Sequence, residues 1–160
     1  MEESGYSLQL NQEYIFENPS ILGLGDLTAL HKEKIQPSGG RIDMLMADDS
    51  NTRYEIELQL GDTDPSHIIR TIEYWDMERK RYPNYDHCAV IIAEEITGRF
   101  LNVISLFNGH IPLIAMQVSA LKISDKEISL VFTKVLDRIT LGDEDEEALE
   151  PTDRNYWEKK

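Results

Sequence analysis

The chemistry most legible in this 160-residue chain rests on an aspartate and a glutamate separated by a short polar segment. Asp43 lies in Gly40-Arg41-Ile42-Asp43-Met44-Leu45-Met46, and Glu57 and Gln59 lie in Tyr54-Glu55-Ile56-Glu57-Leu58-Gln59-Leu60-Gly61. The intervening Ala47-Asp48-Asp49-Ser50-Asn51-Thr52 is rich in turn-forming residues, so the two runs read as a β-hairpin. Side chains alternate across a strand, which sets Glu55, Glu57 and Gln59 on one face and Tyr54, Ile56, Leu58 and Leu60 on the other, the core face. By the same parity Ile42, Met44 and Met46 face the core, and Asp43 faces away from it. Asp43 and Glu57 therefore project from one sheet face. Two carboxylates held together without a cation repel each other and lose hydration; Mg2+ or Mn2+, which prefers oxygen ligands, would relieve both costs. The arrangement suggests a metal site.

A helix follows the hairpin. Asp64-Pro65 is a start signal, a capping side chain followed by proline at the first helical position. From there His67, Arg70 and Tyr74 fall on one stripe, while Ile68, Ile72 and Trp75 fall on a second, apolar stripe that faces the core. That first stripe would line a groove beside the carboxylate face. The plainer alternative stays open: His67 supports the helix start and Tyr74 packs at a rim.

These parts together resemble the PD-(D/E)XK nuclease superfamily, whose core motif is a hairpin carrying Asp and then acid-x-Lys, followed by a helix. Within it the chain is similar to a group of bacterial nuclease-like domains. The resemblance is carried by Glu17-Asn18-Pro19, by Gly40 to Asp43, by Glu57 to Gln59, and by Asp64-Pro65-Ser66-His67 through Tyr74, and spans roughly Gln12 to Leu121. It implies a restriction-endonuclease-like α/β core and a metal-dependent nuclease that hydrolyses DNA phosphodiester bonds. Asp43 and Glu57 would hold one or two Mg2+ or Mn2+ ions with help from the Leu58 carbonyl, Glu17 would add an acidic group from the first helix, and Arg41, His67, Arg70 and Tyr74 would meet substrate. One position departs from the pattern. Gln59 stands where lysine is usual, and an amide can hydrogen-bond a water or a phosphate oxygen but brings no charge.

Charge argues in the other direction. The net charge is −14, whereas a surface that binds nucleic acid by itself normally carries an excess of Lys and Arg. Setting aside residues 143–160, which open with the acidic run Asp143-Glu144-Asp145-Glu146-Glu147, leaves 22 acids (30 less 8) against 13 bases (16 less 3). The body is still acidic. Arg41, Arg53, Arg70 and Arg79-Lys80-Arg81 are among its bases, the last reading as an ordinary helix C-terminus. A DNA substrate, with RNA as the alternative, would thus draw affinity from a further C-terminal domain or a partner subunit, and an oligomer is compatible with the sequence. Residues 1–142 read as one nuclease-like domain, and 143–160 as an acidic tail or the start of a C-terminal helical region, since Asp153-Arg154-Asn155-Tyr156-Trp157-Glu158 looks like a helix opening. The lone Cys88, in an apolar run, excludes an internal disulfide, and scattered histidines give no zinc spacing. With neither a signal-like start nor a spanning stretch, the expectation is a cytoplasmic protein without a membrane partner.

The remaining segments must position the hairpin. An amphipathic helix around Leu10 to Glu17 precedes a strand around Leu27 to Ile35, and a buried strand from His87 to Ala93 follows the long helix. Phe100, Val103, Ile104 and Phe107 mark a further helix, and Ile111 to Ile123 with Glu127 to Leu136 read as paired strands. The expected order is α-β-β-β-α-β-α-β-β around a mixed sheet. Beside the nuclease reading stand two others: a nuclease-like docking or interaction module with a weakened site, and a hairpin whose carboxylates merely solvate an exposed sheet face.

Overall fold

The computed structural model describes residues 11–139, so the expectations for residues 143–160 lie outside the described residues. Residues 11–17 form a helix, α1, and a short 3-10 turn over Pro19–Leu22 leads into the sheet. The strands are β1 (Thr28–Ile35), β2 (Arg41–Ala47), β3 (Arg53–Asp62), β4 (His87–Glu95), β5 (Leu113–Ser124) and β6 (Glu127–Leu136). Helix α2 (Pro65–Arg81) joins β3 to β4, and α3 (Gly98–Phe107) joins β4 to β5. The element order matches that read from the sequence.

All six strands lie in one sheet in chain order. The β1–β2 and β2–β3 pairs are antiparallel, β3–β4 and β4–β5 are parallel, and β5–β6 is antiparallel. Antiparallel neighbours need only a turn, whereas the two parallel steps each require a crossover, and α2 and α3 supply them.

The sheet buries apolar side chains on both faces. One core gathers Ile15 of α1 with Met44, Met46, Tyr54, Ile56, Leu58, Val90, Ile92 and Met116. The other sets Ile68 and Trp75 of α2 and Ile104 of α3 against Ala89, Ile91, Ala93 and Ala115. Alternation along β4 feeds both, which is why its sequence is continuously apolar. Cys88 is fully buried in the first core, and burial pushes its thiol up to about 12. The strand alternation thus holds as expected, but the face that carries the carboxylates is roofed by α2. Glu55 and Glu57 are 1% and 3% exposed, so neither solvates an open sheet face.

Helix α2 begins where expected. The Asp64 side chain accepts the His67 backbone N–H at 2.8 Å and Pro65 occupies the first turn. Its buried residues are His67, Ile68, Thr71, Tyr74, Trp75 and Glu78, so the polar stripe packs against the sheet together with the apolar one. In α3 only Ile104 is fully buried; Val103 and Phe107 of the expected stripe are 39% and 38% exposed, because a helix over a strand pair buries a narrower band than four positions.

Candidate functional site

The hairpin ladder between β2 and β3 runs from Ala47↔Arg53 to Met44↔Ile56 and goes no further. At the next position the strands part, and side chains satisfy the backbone there. Asp43 N–H donates to Glu57 Oε1 at 3.1 Å, and Leu58 N–H donates to Asp43 Oδ2 at 2.8 Å. Asp43 and Glu57, fifteen sequence positions of hairpin apart when counted inclusively, thereby become near neighbours. Strand parity puts them on one face, and the splitting of the strands gives them room.

Burial sets their protonation. Desolvation under α2 raises Glu57 to about 8, with the Asp43 charge adding to it; the Asp43 N–H and the Arg70 guanidinium act in the opposite sense. Desolvation likewise raises Asp43 to about 6, opposed by the Leu58 N–H and by Arg70, and assisted by Glu33. Burial thus biases both carboxyls towards their protonated forms. Arg70 is the cation that attends it: Nε lies 3.7 Å from Glu57 Oε2, NH2 donates to Gln59 Oε1 at 3.4 Å, and NH1 donates to Ser66 Oγ at 2.9 Å. Its side chain is 38% exposed.

Gln59 does not point freely at the pair. Its amide donates to the Asp62 carbonyl at 2.7 Å and to Asp64 Oδ2 at 3.2 Å, tying the end of β3 to the cap of α2. Between them Gly61, with φ of 78°, allows the bulge that shifts the β3–β4 register between Gln59 and Asp62.

Other expected site residues are placed differently. His67 was expected to line a groove, but it is fully buried: Nε2 donates to the Glu57 carbonyl at 3.1 Å and Nδ1 lies 3.5 Å from Thr63 Oγ1. Desolvation lowers it to about 4, so it is a neutral ring whose role is to hold the β3 backbone at Glu57. Tyr74 is 6% exposed and packs against Gly40, its hydroxyl held by the Arg41 backbone. Arg41 itself is exposed at the start of β2. Glu17 is not brought to the pair. It is exposed and lines a groove with Glu94 and Ile128, on the sheet face opposite the carboxylates. From α1 it is instead Gln12 that reaches Asp43, where its amide favours the ionised carboxylate.

Two features escaped sequence reasoning. Gly40 is required because a Cβ there would lie 2.1 Å from Tyr74 Oη and 2.9 Å from Cζ; the Gly-Arg-Ile-Asp run already held the clue. Deeper under α2, His87 Nδ1 meets Glu55 Oε1 at 2.5 Å and His87 Nε2 donates to the Tyr82 carbonyl at 2.8 Å. Beside them Glu78 accepts from Lys34 and Gln36, each at 3.2 Å. Burial raises Glu55 to about 7, against the His87 hydrogen bond. No sequence spacing links these residues, because β1, β3, β4, α2 and the segments just after β1 and α2 supply them.

Among the described residues no group of three or more His, Cys, Asp or Glu side chains is arranged to hold a metal. The oxygen-only pair of Asp43 and Glu57 fits the chemistry of Mg2+ or Mn2+, since a small hard cation is held by one or two carboxylates and completes its shell with water and phosphate oxygens. No helix among the described residues is long and apolar enough to cross a membrane.

No protein-family model matches the chain, and no curated protein matches it. Solved structures do. A repair endonuclease from Pyrococcus abyssi superposes with a TM-score of 0.52 at 20% identity, covering 59% of this chain and 40% of that one. The EndoMS–dsDNA2 complex gives a TM-score of 0.52 at 19% identity, covering 66% of this chain and 42% of the other. The chain thus spans well under half the length of either neighbour, and it shares with them the fold: a mixed six-stranded sheet flanked by helices, the restriction-endonuclease-like α/β core.

Proposed function

We propose that this domain is a PD-(D/E)XK-type phosphodiesterase that acts on DNA and uses Mg2+ or Mn2+ held by Asp43 and Glu57. The observation that carries the reading is the carboxylate pair itself. Two acids are held together where β2 and β3 part, both raised by burial, on a fold shared with repair endonucleases. Burying an acid pair beside a half-exposed arginine costs stability, and a divalent cation held by the two carboxylates would recover it. When bound, the ion would lower the pKa of a water and neutralise charge gathering on the phosphate. The chain's own residues do the rest. The half-exposed Arg70 would orient a phosphate oxygen, His67 fixes the Glu57 backbone through its carbonyl, and Gln59 holds the end of β3 against the start of α2. EndoMS was solved with dsDNA, which supports double-stranded DNA as the substrate class.

A specific observation favours a second reading, a docking module without turnover. The Gln59 amide is already engaged by Asp62 and Asp64, which leaves Arg70 as the cation beside the pair. Calorimetry with Mn2+ and Mg2+ on the wild type, Asp43→Ala and Glu57→Ala, followed by cleavage assays on supercoiled and single-stranded DNA, separates the two. Metal binding and cleavage lost together in both variants are expected. Binding without cleavage would favour the docking module, and no binding would sink the site.

A further inference from the structure

The sheet face opposite the carboxylates carries a groove for which the phosphodiesterase reading has no use. Strands β4 and β5 pair only as far as Ala93↔Gln117, whereas β5 and β6 stay paired out to Ser124↔Glu127. The last turn of the β5–β6 hairpin therefore stands beyond its neighbour as a two-stranded ribbon. Between this ribbon and α1 lies a cavity of about 410 Å3.

Its floor and wall are apolar: Ala120, Ile128 and Leu130 from the ribbon and Tyr14 from α1. Ile128 is 70% exposed and Tyr14 47%, so apolar area that a partner could cover remains in water here. Three carboxylates, Glu13, Glu17 and Glu94, stand at the rim. Glu13 has Lys32 at 3.9 Å, while among the described residues Glu17 and Glu94 form no ion pair.

We propose that this groove docks a basic amphipathic segment of a partner protein. The partner's apolar side chains cover Tyr14, Ile128 and Leu130, and its Lys or Arg residues meet Glu17 and Glu94. Charge selects this occupant. Nucleic acid or an anionic lipid would set phosphates against three carboxylates, and a second copy carries the same overall net charge of −14. A basic segment gains at both the rim and the floor, in the manner of a helix laid into a groove.

The probe is a fluorescein-labelled amphipathic peptide of leucine and lysine heptads, followed by anisotropy. Two control peptides carry glutamate for lysine or serine for leucine. Saturable binding is expected for the leucine–lysine peptide only, weakened roughly tenfold or more by Glu17→Lys with Glu94→Lys, and likewise by Ile128→Asp. Asp49→Lys with Asp86→Lys changes the net charge equally at exposed positions elsewhere and should leave binding unchanged. The proposal is overturned by the absence of saturable binding, by equal weakening in the two charge-reversal pairs, or by equal binding of the serine peptide. Circular dichroism checks that each variant is folded; all five positions are exposed.

Discussion

Replacing Glu57 with glutamine should change how stability depends on pH. Glu57 has an ordinary value of 4.5 and is raised to about 8 in the folded protein, chiefly by burial and then by the Asp43 charge. Between those values the native state keeps a proton that the unfolded chain has released, so stability is fully present below about 4.5 and falls as pH rises towards 8. Each pH unit across that window costs about 1.4 kcal/mol for one such proton, which makes several kcal/mol between its two ends. The side chain is 3% exposed, so solvent screening weakens this little. Other groups titrate in the same window: Asp43, raised to about 6, and Glu55, raised to about 7, act in the same sense, and His67, lowered to about 4, contributes in the opposite sense. The decisive quantity is therefore the difference between wild type and Glu57→Gln. The amide still accepts the Asp43 N–H but has no ionisation to suppress. Urea unfolding in EDTA, followed by tryptophan fluorescence, should show the variant gaining on the wild type as pH rises from 5 to 8. With a slope on the order of 2 kcal/mol per molar, that gain moves the midpoint by a molar or more. Adding Mn2+ should restore the wild type at pH 8 and leave the variant less affected. A difference that stays flat with pH would refute the reasoning that burial holds a proton on this pair.

Removing the ring of His67 by His67→Ala should destabilise the domain by about 2–4 kcal/mol, because it opens a buried cavity and strips the Glu57 carbonyl of its donor; thermal or urea unfolding reads it. Any cleavage activity that His67→Gln retains should keep the wild-type pH profile, since the imidazole is neutral across the working range. Gly40→Ala drives a Cβ into Tyr74 and should cost about 1–3 kcal/mol, with Tyr74→Phe in the same chain recovering part of it; urea midpoints of the single and double variants measure the relief. Asp64→Ala removes the cap of α2 and a partner of Gln59, and should lower stability by about 1 kcal/mol in the same assay.

Much of the architecture is written locally. The two-residue alternation of Tyr54 to Leu60 and the Asp64-Pro65 start of α2 are properties of neighbouring residues, and strand parity alone puts Asp43 and Glu57 on one face. The apolar run of β4 likewise demands cover on both sides. The element order followed from those signals, because each depends on contacts within a few residues. The charge of −14 also belonged to the sequence, and with it the expectation that basic surface comes from elsewhere.

What only the tertiary structure decided is which side chains share a space. Spacing on α2 grouped His67 with Arg70 and Tyr74 on one stripe, yet the helix lies so close to the sheet that His67 and Tyr74 are buried and only Arg70 of the three stays partly exposed. Glu17 and Gln12 lie five residues apart on α1, yet Gln12 meets Asp43 while Glu17 lines the groove beside Ile128. The protonation of Asp43 and Glu57 was equally unreadable. It depends on how far α2 excludes water, and desolvation is a property of the packed layers, not of any one strand.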